Sequence, residues 1–365
     1  KLFMKKNFFL LLISILIPFI ILEIALIFFG KFQNLTNQNL IPSETLYERS
    51  VSSSLYYKHP DLDYTIQSNY DRDGVKNNKT VSTSEKKNII AFFGDSMTEN
   101  VGVNTKFEFS NILNNLISNY NIANYGIGGY SADQVFIRFL KYKHHDIKYI
   151  FYLLMPGDEI FSTKSEFNDD GTYNIHEPNL NIFFRLIGKL RLTYFFIDGY
   201  YRLKNLINKS YSITNTKNYN SILSNKLYQI FYHKGLNNCR FTIHADKVNC
   251  QKKLLNLLKI FNKEAKLNNI EFFVLVYPDL NFISYFKETL NMKKNEINYF
   301  ILDNNLAYNK KMIFKNPNDT HWNEYGNIFY AQNILNIFSK INLNNKIINL
   351  NEYQKKIDLF YENNN

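Results

Sequence analysis

From about residue 88 onward, the apolar and polar positions of the chain alternate between two patterns. Short continuous apolar runs, such as the one that ends at Phe93, are followed by stretches in which apolar residues recur every three or four positions. Continuous runs are typical of strands buried on both faces, and the second spacing is typical of amphipathic helices. The pattern predicts an α/β fold, a three-layer sandwich with a central parallel sheet and helices on both faces. The predicted strands are 88–93, 121–124, 148–154, 270–276 and 299–302, and the predicted helices are centred on 109–117, 135–140, 254–265 and 325–338.

The regularity of this pattern divides the chain into segments. Residues 1–32 are predicted to be a membrane anchor, and the polar, turn-rich residues 33–87 a tether and an N-terminal flap. The α/β domain is predicted over 88–345, with an insertion at about 160–250 that mixes polar turns with basic and aromatic residues. We expect the insertion to cover the domain or to lie near the membrane, and the Asn-rich residues 346–365 to be a flexible tail.

The anchor is a nearly continuous apolar run from 8 to 29. At about 1.5 Å per residue, a helix of about 22 residues spans about 33 Å, enough to cross the bilayer core. Lys5 and Lys6 precede the run and only Lys31 follows it closely, which predicts a cytoplasmic N-terminus. A cleaved signal peptide is the alternative, but its apolar stretch is typically shorter. We therefore expect a single-pass anchor in the cell membrane, with the rest of the chain periplasmic or extracellular.

Composition excludes some classes of function. The chain has 365 residues, 45% of them hydrophobic and 16% aromatic, which is ample for a folded core. Its net charge of +11 comes from scattered lysines without a nucleic-acid motif, so we expect no nucleic-acid partner. The sequence His144-His145-Asp146 suggests a metal, but a helix-terminal surface pair is the favoured interpretation. Neither a metal nor another cofactor is expected.

The candidate chemistry begins at Gly94-Asp95-Ser96, directly after the first predicted strand. A serine here is held above the carboxyl edge of the sheet, where open α/β folds bind their ligands. It needs a general base that is itself oriented by a third group, and Asp319-Thr320-His321 offers that pair. The Ser96 amide and a glycine of the segment 124–129, which ends another predicted strand, are candidate donors to an oxyanion.

Together these motifs resemble those of the GDSL, or SGNH, hydrolase superfamily, whose sheet is flavodoxin-like. Gly94 to Glu99 resembles its first block, Asn124 to Gly129 its second, and Asp319 to Gly326 its last. The resemblance covers roughly 88–155 and 250–340. It implies that Ser96 is the nucleophile, His321 the base and Asp319 its orienting acid, with the amides of Ser96 and Gly129 in the oxyanion hole.

Two features depart from the family pattern. The third family motif is Gly-x-Asn-Asp, but Gly157 stands where its Asn is expected, so either another donor such as the Gly157 amide replaces it or the enzyme is slow or specialised. Losing an oxyanion donor typically costs a factor of about 100 to 1000 in rate. The commoner Asp-x-x-His spacing would place the acid at Asn318, and Asp319 is the better candidate because only it carries charge.

Further candidate residues leave alternatives open. Trp322 could stack on a sugar or could pack to fix the His321 loop. Cys239 and Cys250 could form a disulfide in an oxidising compartment. Glu23, within the apolar run, could contact a partner helix or snorkel to the interface.

The Asp-x-His-Trp-Asn form is similar to a subgroup of exported, membrane-anchored members that act on polysaccharide acyl esters. This resemblance implies an esterase or O-acyltransferase acting on acyl, most simply acetyl, esters of cell-envelope glycans. The expected partners are an acylated carbohydrate or envelope polymer, the membrane through 8–29, and a membrane-bound O-acyltransferase. One alternative is a catalytically weak or inactive SGNH-like glycan-binding subunit of an envelope polysaccharide acylation complex, and another is an interaction module that docks through Glu23.

Overall fold

The computed structural model describes the sheet, its flanking helices and parts of the preceding chain. By its backbone contacts the chain divides into two compact units, one of Lys1–Gln38 with Asn179–Lys234 and one of Asn39–Pro178 with Gly235–Asn365. In the first unit, only residues within 14–25 are described, and residues 16–25 are helical. The described residues are 14, 16–25, 40–41, 48–49, 54–58, 65–76, 83–100, 102–156, 158, 161, 163, 165–175, 245–278, 283, 295–303, 321–343 and 350–362.

The second unit is built on a five-stranded sheet in which every neighbouring pair is parallel. Numbered along the chain, its strands lie in the order 2-1-3-4-5, which is the flavodoxin-like order. The order reverses between the first and third strands, and ligands of such sheets bind at the carboxyl ends beside this reversal. Counted with the short strands outside this sheet, its strands are β5 (Ile89–Phe93), β6 (Asn121–Asn124), β7 (Ile147–Leu154), β10 (Glu271–Val276) and β11 (Asn298–Ile301).

Adjacent residues of a strand point to opposite faces of the sheet, and in β5 all of them are buried. Both faces of the sheet are therefore covered by helices. Phe92 contacts Phe109 and Tyr330 on one side, whereas Phe93 contacts Phe139 and Phe261 on the other. The three-layer α/β prediction is thus confirmed. The helices are α1 (Ser96–Glu99), α2 (Phe109–Leu116), α3 (Ala132–Tyr142), α4 (Ala245–Leu267), α5 (Glu324–Lys340) and α6 (Asn351–Glu362), with α2 and α5 on one face and α3 and α4 on the other.

The segment expected to be a tether and flap contributes to the domain. Tyr70 and Val75 are buried, and the Lys76 N–H donates to the Asn124 carbonyl at 3.1 Å, which covers part of the outer strand β6. The Lys76 ammonium lies 2.7 Å from the Glu108 carboxylate, and both side chains are 1% exposed. Two antiparallel pairs precede it, β1 (Leu40–Ile41) with β2 (Glu48–Arg49) and β3 (Ser54–Lys58) with β4 (Thr65–Asn69).

The end of the chain differs from the expectation of a flexible tail. Asn351–Glu362 form α6, and this helix packs on α5. Leu350 and Ile357 are buried, and the Tyr325 hydroxyl donates to Asp358 at 2.9 Å. Two buried apolar side chains and one hydrogen bond therefore fix a segment whose composition is mostly polar.

The insertion and the predicted anchor are described only in part. The first residues of the insertion form a short hairpin, β8 (Glu166–Phe167) with β9 (Tyr173–Asn174), and its last residues begin α4. Apart from 161, 163, 165 and 175, the remainder of the insertion lies outside the described residues, as does half of the run from 8 to 29. Among the helices that the structure describes, none is both long enough and apolar enough to cross a bilayer.

Candidate active site

Ser96 lies at the carboxyl end of β5, beside the reversal of strand order. The strand ends at Phe93, Gly94 turns the chain, and Ser96 begins the single helical turn α1. A Cβ on Gly94 would lie 2.1 Å from the Thr98 hydroxyl oxygen, so only glycine fits at this turn. Asp95 caps the turn by accepting the Met97 N–H at 2.9 Å. The sheet and this cap together hold the Ser96 hydroxyl at the edge where ligands bind.

His321 faces Ser96 across 225 residues of sequence. Its Nε2 lies 2.7 Å from the Ser96 Oγ, and both residues are partly exposed. The adjacent Asn323 caps α5, since its side chain accepts the Gly326 N–H at 3.1 Å. With the imidazole neutral and its proton on Nδ1, the serine hydroxyl donates to Nε2, which is the arrangement that proton removal requires.

Trp322 is a packing residue next to His321. Its side chain is 4% exposed, its ring stacks on Tyr277 with centroids 5.8 Å apart, and it contacts Tyr330 at 4.8 Å. An indole this buried offers no open face for a sugar in this conformation. Of the two interpretations drawn from the sequence, the geometry matches the one in which Trp322 fixes the His321 loop.

Asp95 adds a partly buried carboxyl group close to the serine–histidine pair. Burial raises its pKa above the ordinary value, while the Met97 N–H and the positive charge that His321 can carry act in the opposite direction. An ionised Asp95 and a protonated His321 therefore stabilise each other electrostatically. This contribution adds to whatever the predicted acid, Asp319, supplies.

The glycine-rich loop after β6 lies beside α1. Within this loop the Gly126 N–H donates to the Asn124 side chain at 2.9 Å, and the Ile127 N–H donates to the Gly94 carbonyl at 3.1 Å. Gly129 has a φ of 82°, a conformation that favours glycine. Within the described part of the chain, the N–H groups of Ser96 and Gly129 donate to no acceptor. No acceptor in this part of the chain competes for either N–H group, and the predicted oxyanion role of both stays a prediction.

Several polar residues of this edge were given no role by sequence reasoning. Glu99 accepts the Gly128 N–H at 2.6 Å, and the Asn124 side chain donates to the Thr98 carbonyl at 2.6 Å. The sequence does carry one signal for Glu99. It is an acidic residue that follows the candidate serine by three positions, so it lies on the same helical turn. Asp158 accepts from the Tyr152 hydroxyl at 2.7 Å and from the Met155 N–H at 2.9 Å, so its carboxylate binds β7 and the residue directly after it.

The remaining candidates are placed elsewhere or are not described. The His145 Nδ1 lies 2.8 Å from the Tyr125 hydroxyl, and Asp146 forms an ion pair with Lys148 at 2.6 Å. These two residues of the suggested metal motif therefore have protein side chains as partners. Among the residues that the structure describes, no three metal-binding side chains cluster. Asp319, Gly157 and Cys239 lie outside the described residues, and Cys250 is within α4 with its side chain undescribed, so their predicted roles stay predictions.

Comparison with known proteins finds only distant structural similarity. Neither a protein-family model nor a curated protein matches this chain. It is similar to a member of the lipolytic protein G-D-S-L family from Veillonella parvula DSM 2008, with 14% identity and a TM-score of 0.35, over 70% of this chain and 99% of that one. It is also similar to a putative lipolytic protein of G-D-S-L family from Desulfitobacterium hafniense DCB-2, with 11% identity and a TM-score of 0.36, over 68% of this chain and 99% of that one. Neither similarity assigns an activity to this chain.

Proposed function

We propose that the chain is an SGNH-type serine enzyme that hydrolyses or transfers acyl esters. The observation that carries this proposal is the 2.7 Å separation between the Ser96 Oγ and the His321 Nε2 at the ligand-binding edge of the sheet. A nucleophile within hydrogen-bonding reach of a base is the arrangement required for covalent acyl transfer. The two backbone donors at Ser96 and Gly129 supply the second requirement, a site for negative charge.

The geometry supports a two-step mechanism. The Ser96 Oγ attacks the carbonyl carbon while the His321 Nε2 takes its proton, and the N–H groups of Ser96 and Gly129 stabilise the tetrahedral oxyanion. Collapse of this intermediate breaks the ester bond, and the imidazolium gives its proton to the leaving alcohol. In the second step His321 deprotonates water, which releases the acid, or a sugar hydroxyl, which accepts the acyl group.

Asp319 completes the proposed triad. An acid two residues before the histidine can accept from Nδ1, hold the reactive tautomer and stabilise the imidazolium. Asp95 supports the same charge from the serine side, because its partly buried carboxyl group interacts electrostatically with His321. The proposed triad is therefore Ser96, His321 and Asp319.

The proposed substrates are acyl, most simply acetyl, esters of cell-envelope glycans. This part rests on the Asp-x-His-Trp-Asn motif and on the apolar run from 8 to 29, which together favour an anchored enzyme outside the cytoplasm. Hydrolysis and transfer share the acyl-enzyme, so they differ only in the acceptor that reaches it. Quantifying released acetate and acetylated oligosaccharide from one reaction separates the two activities.

A fluorophosphonate probe tests the proposal because it reacts with an activated serine. We expect the wild-type chain to be labelled, Ser96→Ala to be unlabelled, and Ser118→Ala, which changes an exposed serine, to be labelled as the wild type is. Circular dichroism establishes that each variant is folded. A folded wild-type protein that resists both the probe and acyl-ester substrates would overturn the enzymatic proposal and leave the glycan-binding alternative.

A further inference from the structure

Glu99 is a buried acid on the same helical turn as Ser96. It follows the serine by three residues, and its side chain is 1% exposed. Buried acids are rare unless their carboxylates are paired or hydrogen-bonded, so the partners of this one indicate what it does.

The two carboxylate oxygens of Glu99 reach different elements. Oε2 accepts the Gly128 N–H at 2.6 Å, and Oε1 accepts the Tyr70 hydroxyl at 2.7 Å. The backbone carbonyl of Glu99 accepts from the Lys76 ammonium at 2.6 Å. Glu99 thus joins the turn that carries the serine, the glycine loop after β6, and the segment that precedes β5.

The Gly128 contact lies one residue before the N–H group of Gly129. Residues 127–130 form a turn in which the Tyr130 N–H donates to the Ile127 carbonyl at 3.2 Å. Gly129 therefore lies within a closed turn, directly after the residue that is bonded to Glu99. Hydrogen bonds to a carboxylate are stronger than neutral ones, especially where water is excluded.

A second set of contacts fixes the beginning of the same loop. Asn124 donates to the Thr98 carbonyl and accepts the Gly126 N–H, and a Cβ on Gly126 would lie 2.5 Å from the Glu99 nitrogen. Backbone therefore packs directly on backbone at Gly126. Nearer to Gly129, the Glu99 side chain binds the loop through the Gly128 N–H.

We propose that Glu99 is a positioning residue for the oxyanion hole, which sets the place of the Gly129 N–H relative to Ser96. This inference rests on the proposed function, and it adds a residue that does not itself touch the reacting atoms. Displacing a donor by about 1 Å can cost about 100-fold in rate. Loss of the Glu99 contact is therefore expected to slow turnover without changing the base.

Glu99→Gln tests the inference. A glutamine side chain has one acceptor oxygen and an NH2 group, so it can accept from only one of Tyr70 and Gly128. A bond that it keeps to the Gly128 N–H is accepted by a neutral amide and is weaker than the bond to the carboxylate. Using an acyl ester, we expect kcat per active site to fall about 10- to 100-fold. The KM and the acidic limb of the pH profile are expected to stay unchanged, because neither substrate contacts nor His321 are altered.

A merely structural role would give a different result. Titration with the fluorophosphonate counts the active sites, so lower stability alone reduces the number of sites and not the rate at each one. Glu108→Gln is the matched control, because it changes another glutamate that is 1% exposed in its side chain and is expected to retain the wild-type kcat. Glu99→Asp keeps the charge, shortens the reach, and is expected to lower kcat as Glu99→Gln does.

The outcomes separate this inference from the proposed function. If the wild type is not labelled, the proposed function fails. Suppose that the wild type turns over the acyl ester and that both Glu99 variants keep kcat per site within about 3-fold of the wild-type value. A misplaced donor would cost more than this, so the positioning role is then overturned. If neither Glu99 variant folds while Glu108→Gln does, Glu99 is a stability residue and the inference is likewise overturned.

Discussion

Replacing Glu108 by glutamine should change how the stability of the domain depends on pH. Glu108 is the N-cap residue of α2, and its carboxylate lies 2.7 Å from the Lys76 ammonium in a site where both side chains are 1% exposed. Burial raises the pKa of Glu108 from 4.5 to about 7, although Lys76 acts to lower it, and Glu99 adds to the rise. Desolvation of the carboxylate therefore outweighs its ion pair.

The sign of the effect follows from the protons that each state binds. Between pH 4.5 and about 7 the unfolded chain has lost the Glu108 proton while the folded chain keeps it, so stability falls as the pH rises. At about 1.4 kcal/mol per pH unit, the full change is about 3 kcal/mol. It is complete above about pH 8 and absent below about pH 3.5.

The assay is chemical unfolding of the full chain at several pH values between 4 and 8. Glutamine does not titrate, so the free energy of unfolding of Glu108→Gln should fall less over this range than that of the wild type, by about 3 kcal/mol. Other titrating groups, such as Asp95 and His145, are common to both proteins and cancel in the difference. Parallel curves would refute the reasoning, because they would mean that Glu108 titrates alike in the folded and unfolded chains.

Three further predictions address the triad, the glycine loop and the last helix. Asp319→Asn should lower kcat by up to about 10,000-fold, because it removes the acid that orients His321. Asn318→Ala is the control and should leave kcat unchanged when both variants are measured by steady-state kinetics. Gly126→Ala should lower the free energy of unfolding by about 1–3 kcal/mol and slow fluorophosphonate labelling, because its Cβ would meet the backbone of Glu99. Ile357→Ala should destabilise the domain by about 2–5 kcal/mol in a urea titration, whereas Leu359→Ala, at a position 57% exposed, should have little effect; equal losses would contradict the burial of α6.

The central sheet could be predicted because its strands are buried on both faces. Residues 121–124 form a strand with the predicted bounds, and the strand predicted at 148–154 begins one residue earlier, at Ile147. The antiparallel pairs before residue 70 were missed because short strands in a polar segment lack an apolar run. The helix at Asn351–Glu362 was missed for a similar reason, since few of its side chains are buried and its flanks are rich in asparagine.

The approach of Ser96 to His321 could be predicted because the carboxyl ends of parallel strands meet at one edge. The hydrogen bonds that hold the loops around Ser96 and His321 could not be predicted from the sequence. Whether a polar side chain near a glycine loop caps a turn or reaches another element depends on close packing, as it does for Asn124 and Glu99. The burial of Lys76 against Glu108 was likewise hidden, because a charged residue in a turn-rich segment normally faces water.

The docking of residues 70–76 decides where a soluble fragment of this protein can begin. A fragment that starts at residue 88, where the repeating sequence pattern begins, would lack the backbone that covers the outer strand at Asn124. Such a naked edge invites pairing between molecules, and the carboxylate of Glu108 would lose its countercharge. Expression trials that retain the chain from before Tyr70 should therefore give monodisperse material, and those that start at residue 88 should give aggregates.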